Sequence, residues 1–153
     1  MGVAKFYHLT QGPLEATAPV LLRRAVGQGW SVVVRGTDPE RMDWLDRKLW
    51  QGPEDEFLPH GLAGGPHDAR QPVLLTVSGD KPNDPSGLMA IDGAEVSPEE
   101  VEALERVWIL FDGHDERAMI LARGQWKALT GAGCKAEYWS EESGRWQMKT
   151  ESG

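Results

Sequence analysis

The 153-residue sequence predicts a single α/β domain, residues 1–153, built around a mostly parallel sheet. Strand-like and helix-like segments alternate from the amino terminus, which is typical of an α/β layer architecture. Residues 30–35 form a β-branched run, WSVVVR, as expected of a strand that is buried on both faces of a parallel sheet. Glycine and proline punctuate the predicted elements, and a chain of this length fits one domain.

The first half of the chain supplies two strand-helix units. A strand at residues 4–9 ends at the turn-forming Gln11-Gly12-Pro13. The helix predicted at residues 14–26 has apolar side chains at helical spacing and is followed by two glycines. After the strand at 30–35, a Thr-Asp-Pro-Glu sequence offers a helix cap, and the second helix is predicted at residues 39–50.

The second half begins with a long connection at residues 54–72, rich in glycine, proline and histidine. Such connections in compact domains are usually functional or mobile. Ser97-Pro98-Glu99-Glu100 supplies an N-cap serine, a proline at the first helical position and a glutamate at the third, which together form a capping box. The predicted elements after the connection are strands at 72–77 and 88–91, a short helix at 98–105, a strand at 106–111, a helix at 115–130 and a hairpin pairing 134–140 with 145–149. Residues 141–153 are predicted to be part of this hairpin or a mobile tail.

Composition excludes several classes of protein. The chain has 16 Lys+Arg against 24 Asp+Glu, a formal net charge of −8, which argues against a sequence-independent nucleic-acid coat. Its single cysteine, Cys134, cannot form an intramolecular disulfide and predicts a reducing, cytoplasmic setting. No apolar run reaches the ~18 residues of a membrane span, and the first ten residues lack the apolar core of a signal peptide.

The common catalytic and nucleotide-binding motifs are absent from the sequence. It contains no phosphate-binding P-loop, no G-x-S-x-G elbow and no H-E-x-x-H pair. Gly27-Gln28-Gly29 lacks the third glycine of a dinucleotide loop and follows a predicted helix rather than a strand. We therefore predict no enzymatic activity and no cofactor. A small nucleotide-binding regulator or enzyme on the same type of fold is the alternative.

The histidines give no complete metal site. His60 and His67 lie seven residues apart in the long connection, with Asp68 beside the second, and these three could share a metal ion. A third and fourth ligand at matching spacing are missing, so ordinary hydrogen bonding is the preferred interpretation. Cys134 is interpreted as a small buried residue rather than a nucleophile.

A cationic and aromatic patch is predicted on the last helix. Residues 117–135 contain four cations and no acid, a local charge of +4. Arg123, Trp126 and Lys127 fall at i, i+3 and i+4, and so on one helix face. Arginine can bind a carboxylate through two hydrogen bonds, lysine adds a point charge, and tryptophan can wall a pocket for an apolar side chain. Two cations that flank a tryptophan could form a receptor for an anion and an adjoining apolar or aromatic group.

Two other interpretations of this helix remain open. Trp126 could belong to a core stripe with Ala122 and Leu129, which would leave the cations on a solvated face. Alternatively, the ring and its neighbouring cations could bind single-stranded DNA directly, although the net charge of −8 opposes such binding.

A second patch surrounds the start of the long connection. Leu49-Trp50 is followed by Phe57, Leu58 and Pro59, so large apolar side chains cluster where glycine and proline make burial harder to arrange. These rings could form an exposed apolar surface for a protein partner, or they could fold back onto the domain.

These residues resemble the chi subunit family of bacterial DNA polymerase III holoenzyme. The most specific block is FLPHGLAG at residues 57–64, which follows Leu49-Trp50. The resemblance covers about residues 3–140 and is less clear from 78 to 105. Its other matching blocks are Phe6-Tyr7, Leu45-Asp46, Pro72-Val73, Leu121-Ala122-Arg123 and Trp126-Lys127-Ala128.

The resemblance implies a Rossmann-like three-layer α/β/α fold without a working nucleotide loop. It implies a non-catalytic accessory subunit that links the clamp loader to single-stranded-DNA-binding protein, so that contact with DNA is indirect. Arg123 and Lys127 would meet the carboxylates of that protein's acidic C-terminal tail, which ends in Ile-Pro-Phe. Trp126 would help to form the pocket for the terminal phenylalanine.

The resemblance also implies a second contact, made to the psi subunit or to a helicase. By position this contact would involve Trp50, Phe57 and Pro59. The sequence departs from the familiar pattern at Trp126, where tyrosine is usual, and in a longer C-terminal segment after Ser140.

Overall fold

The computed structural model of the chain describes residues 2–51, 58–141 and 146–152. The described residues form one sheet of eight strands and four α-helices. The strands are β1 (Val3–Leu9), β2 (Val32–Arg35), β3 (Gly61–Leu62), β4 (Val73–Thr76), β5 (Gly87–Ala90), β6 (Arg106–Asp112), β7 (Lys135–Ser140) and β8 (Gln147–Ser152). The helices are α1 (Leu14–Gly27), α2 (Pro39–Trp50), α3 (Pro98–Ala103) and α4 (Glu116–Gly131), and a 3-10 turn spans Asp68–Arg70.

The sheet is mostly parallel, in the order β3-β4-β2-β5-β6-β1-β7-β8. Adjacent strands run parallel except β7 and β8, which are antiparallel. Helices α1 and α2 contribute to the core on one face, and α3 and α4 to the core on the other. Along β2, Val33 belongs to one core while Val32 and Val34 belong to the other. The predicted three-layer α/β fold is thereby confirmed.

Side-chain caps set the beginnings of three helices. Asp38 Oδ1 accepts a hydrogen bond from Glu40 N at 3.1 Å and starts α2. The predicted capping box is present, because Ser97 Oγ accepts from Glu100 N while the Glu100 carboxylate accepts from Ser97 N. Asp115 Oδ1 accepts from the first backbone amides of α4. Each cap satisfies donors that a helix amino terminus otherwise leaves unpaired.

Two predictions about secondary structure need correction. The connection predicted at 54–72 contains β3 and the 3-10 turn within its described part. Gly61 and Leu62 form a strand because they pair with β4, and a local sequence pattern cannot predict this pairing. The last strand lies at Gln147–Ser152 rather than 145–149, and a register shift between Tyr138 and Trp139 accompanies its pairing with β7. Elsewhere the predicted and observed ends agree within two residues.

Candidate functional site: the α4 pocket and its surroundings

An open pocket of about 370 Å³ lies between α4 and the adjoining end of the sheet. We call it the α4 pocket. It is lined by residues from α4 and from four strands, namely Phe6, Phe111, Met119, Ala122, Arg123, Trp126, Lys127, Tyr138 and Thr150.

Helix α4 brings the three sequence-predicted residues together at this pocket. Ala122 and Leu129 are buried and hold the helix on the sheet. Trp126 is half-buried and packs against the same core while it lines the pocket. Arg123 and Lys127 line the pocket and are exposed. The core and pocket interpretations of Trp126 are therefore compatible, since one ring serves both.

Aromatic rings form the floor and far wall of the pocket. The Trp126 ring meets Phe6 edge-on at a centroid distance of 5.2 Å and Tyr138 at 6.3 Å. Tyr138 also contacts Phe111 at 6.1 Å, and its Oη lies 2.6 Å from Nδ1 of His8. Because each ring is held by another ring or by a hydrogen bond, the wall is preformed and suits a flat apolar group.

Hydrogen bonds fix the position of α4 against the rest of the domain. Gln125 Nε2 donates to the carbonyl of Ala94, and Gln125 Oε1 accepts from Val96 N, both at 3.2 Å. Within α4 itself, Thr130 Oγ1 donates to the carbonyl of Trp126 at 2.7 Å, one turn earlier in the helix. The helix thus presents its pocket face in one orientation.

The rim of the pocket is cationic. Among the residues that the structure describes, no carboxylate lies within ion-pair distance of Arg123 or Lys127. The acid-free stretch of residues 117–135 accounts for this, because these cations have no acidic neighbours along the helix. Two cations beside an apolar wall can bind a carboxylate and a nearby hydrophobic side chain at the same time.

Sequence reasoning found one side of the pocket and missed the others. Phe6, Phe111, Tyr138 and Thr150 come from β1, β6, β7 and β8, and Phe6 was noted only as part of the resemblance. Their aromatic and β-branched character is equally typical of ordinary strand residues. The missing information was the order of strands in the sheet.

The second predicted patch is described in part. Trp50 ends α2 and is 53% exposed, and its ring lies 4.4 Å from that of His60. Leu49 and Leu58 are buried, while Pro59 is half-buried. Phe57 lies outside the described residues, so its predicted role remains a prediction. Trp50 therefore presents a large apolar surface, and Pro59 directly precedes the histidine that its ring contacts.

The two histidines of the long connection make different contacts. His60 is buried, with Nδ1 2.6 Å from the carbonyl oxygen of Leu58 and Nε2 3.2 Å from Oδ1 of Asp46. His67 is exposed, and the Asp68 carboxylate accepts hydrogen bonds from the backbone of residues 64 and 65. In the described ranges no three His, Cys, Asp or Glu side chains are grouped as a metal site would require.

A crevice of about 910 Å³ lies at the carboxyl ends of β1 and β6. The helices that follow these adjacent strands pack on opposite faces of the sheet, so the crevice is a topological switch point, where α/β folds usually bind ligands. The backbone N–H groups of Thr10, Gln11 and Gly12 all donate to Oε1 of Glu141, at 3.1, 3.0 and 3.0 Å. We call these three amides the β1–α1 nest. Converging amides of this kind can hold an anion, and here they hold the buried carboxylate of Glu141.

The helices of the described ranges do not meet the requirements of a membrane span. Across the described ranges, none is both long enough and apolar enough to cross a membrane.

Comparison with known proteins identifies the family. The model of the family described as "DNA polymerase III chi subunit, HolC" matches residues 1–137. A "Probable DNA polymerase III subunit chi" of Rickettsia prowazekii (strain Madrid E) is 26% identical over 97 residues. That alignment covers 60% of this chain and 59% of the relative, so the chain spans less than two thirds of the relative's length. Since the family model covers most of the sequence, the chain belongs to the DNA polymerase III chi subunit family, whose members are accessory subunits in DNA replication.

Proposed function

We propose that this chi-family protein binds the acidic C-terminal tail of single-stranded-DNA-binding protein in the α4 pocket and so links it to the clamp loader of DNA polymerase III, without catalysis. The observation that carries the proposal is the combination of a preformed aromatic wall with two cations, Arg123 and Lys127, that no described carboxylate neutralises.

The chemistry of the tail matches the two parts of the pocket. Its terminal phenylalanine would pack beside Trp126 and Tyr138, while its terminal carboxylate and aspartates would meet Arg123 and Lys127. A disordered tail loses conformational entropy when it binds, so we expect a dissociation constant of about 1 μM, or about −8 kcal/mol.

The test is a calorimetric titration with an acidic peptide ending in Asp-Ile-Pro-Phe. We expect affinity to fall as salt concentration rises, because added ions screen charge attraction. The double substitution Arg123→Ala/Lys127→Ala should weaken binding by about tenfold or more, because it removes two charge-assisted contacts.

A matched control separates local contacts from net charge. Arg47→Ala/Lys48→Ala also removes one arginine and one lysine, but from an exposed part of α2. This variant should bind the peptide with an affinity close to that of the unaltered chain. Equal affinity in the Arg123→Ala/Lys127→Ala protein would contradict the proposal.

We propose further that Trp50 and Pro59 contact a second replication partner, the psi subunit or a helicase. The supporting observation is the 53% exposure of a tryptophan whose ring is set against the buried His60. Exposed tryptophans held in one orientation are frequent energetic centres of protein interfaces.

This second contact can be tested by pull-down with purified psi subunit and with purified replicative helicase. We expect Trp50→Ala to lose one of them, since it removes the largest apolar side chain of the patch, while tail-peptide binding is retained. Met148→Ala, which trims another exposed apolar residue on distant β8, should retain the partner. Unchanged capture of both partners by Trp50→Ala would refute the assignment.

The nucleotide-binding alternative is disfavoured by the β1–α1 nest. A phosphate at the amino terminus of α1 would have to displace the Glu141 carboxylate, which is tethered and accepts three hydrogen bonds. Like charges in one nest repel, so the two anions cannot share it.

A further inference from the structure

Strand β8 lies beyond the part of the chain that the family model matches, yet it reaches the α4 pocket. The match ends at residue 137, while β8 spans Gln147–Ser152 and contributes Thr150 to the lining. One side of the pocket is therefore built from a segment outside the residues that the family model matches.

Several contacts hold β8 and its partner strand in place. β8 pairs antiparallel with β7 from Ala136 opposite Ser152 to Ser140 opposite Gln147. The residue that follows β7, Glu141, is bound by the β1–α1 nest. β8 therefore pairs with one edge of β7, and the other edge of β7 pairs with β1.

The register of this pair decides which residue of β8 faces the pocket. Tyr138 lies directly opposite Thr150, and residues paired across antiparallel strands share a face of the sheet. Beyond the register shift, Met148 lies opposite Trp139, whose ring stacks with Tyr7 in the core on the other face. Thr150 therefore lines the pocket and Met148 does not.

We propose that Thr150 is a specificity-determining residue that closes the outer side of the α4 pocket and limits the size of the apolar side chain it accepts. This inference rests on the proposed tail-binding function. Thr150 is exposed at the rim and carries a short branched side chain, so it bounds the pocket without filling it. A larger side chain at this position would occupy the space of the ligand, and a smaller one would enlarge it.

The experiment uses the full chain and a fluorescently labelled peptide ending in Asp-Ile-Pro-Phe, read by fluorescence anisotropy. Thr150→Phe should weaken binding by about tenfold or more, because an added ring overfills the pocket. Met148→Phe places the same ring on the same strand but outside the pocket, and should change affinity by less than about twofold. Similar thermal unfolding midpoints for the two variants would exclude misfolding as the cause.

A second variant tests the size limit directly. In Thr150→Ala the preference for a peptide ending in phenylalanine over one ending in tryptophan should fall by about threefold or more, because the wall is trimmed by two heavy atoms. An unchanged preference, or Thr150→Phe binding as tightly as the unaltered chain, would overturn the role of Thr150 alone. Failure of the unaltered chain to bind the peptide would overturn the tail-binding function and this inference with it.

Discussion

The Glu100 side chain connects a strand, a loop and a helix cap through one carboxylate. Arg35, which is buried at the end of β2, donates to both of its oxygens at 3.0 and 2.8 Å. Lys81 Nζ donates to Oε2 at 2.8 Å, and the backbone N–H of Ser97 donates to Oε1 at 3.1 Å. The bidentate pair with Arg35 is the geometry in which ionised groups interact most strongly.

This arrangement gives folding stability a specific pH dependence. Burial disfavours the ionised form of Glu100, but the hydrogen bonds from Arg35, Lys81 and Ser97 outweigh it and lower the pKa from 4.5 to about 2. Because the pKa is lower in the folded state, the carboxylate stabilises the fold above pH 4.5, and this contribution is lost as pH falls from 4.5 through about 2. We expect it to amount to about 1–2 kcal/mol after solvent screening.

Unfolding free energies of the unaltered chain and of Glu100→Gln, measured by denaturant titration across this range, check the prediction. At neutral pH the variant should be the less stable protein, since it loses the charge but keeps the buried Arg35. The difference should shrink as pH falls through the window. A difference that stays constant down to about pH 2 would contradict the assigned pKa.

The positions of some site residues could be predicted from the sequence, and those of others could not. Arg123, Trp126 and Lys127 could be placed on one helix face because their spacing is local. Glu141 gave no signal, because its three donors lie 131, 130 and 129 residues away along the chain. A glutamate after a strand is chemically ordinary until the fold brings it to three backbone amides.

Among the elements, predictability followed the range of the forces that form them. Helices α2, α3 and α4 were predictable because their caps and apolar spacing lie within a few residues. The buried strands were marked by apolar runs, as in β2 and β6. Strand β3 has two residues and exists through its pairing with β4, so a local pattern could not specify it.

The order of the strands also explains why the α4 side of the pocket could be predicted from the sequence and the strand side could not. The chain passes from β6 through α4 to β7, and β7 is placed beyond β1 rather than beside β6. This step brings Phe6 and Tyr138 under α4 together with Trp126. Local sequence patterns predicted that β7 would form but not where it would be inserted.

Charge is distributed unevenly over the whole molecule. The +4 stretch at residues 117–135 leaves −12 on the rest of the chain. Part of that positive charge lies at the α4 pocket, through Arg123 and Lys127. An acidic peptide is therefore attracted to one region of a protein that repels it elsewhere, which favours correct orientation on approach.

The molecule as a whole should not respond to nucleotides. A ligand that binds only the native state raises the unfolding midpoint, so thermal unfolding with ATP, GTP and NADH in turn tests for one. We expect no shift, because the anion position at the switch point is filled by Glu141. A clear, concentration-dependent rise with any of the three would favour the nucleotide-binding alternative.

A companion variant checks the physical reason for that prediction. Glu141→Ala should lower the midpoint, since it leaves three backbone donors without their acceptor. Inorganic phosphate should then partly restore it by occupying the vacated nest, while sodium chloride at matched ionic strength should not. Equal unfolding midpoints of Glu141→Ala in phosphate and in sodium chloride would contradict the role assigned to the nest.

The β1–α1 nest also affects whether the structure depends on dissolved anions. A carboxylate tied to the same chain is present at its binding site at a far higher effective concentration than any dissolved anion. We therefore expect the structure at the switch point to be the same at low and at high concentrations of phosphate or nucleotide. The site at which many α/β enzymes bind a small molecule is, in this chain, filled by a side chain of the same chain once the chain has folded.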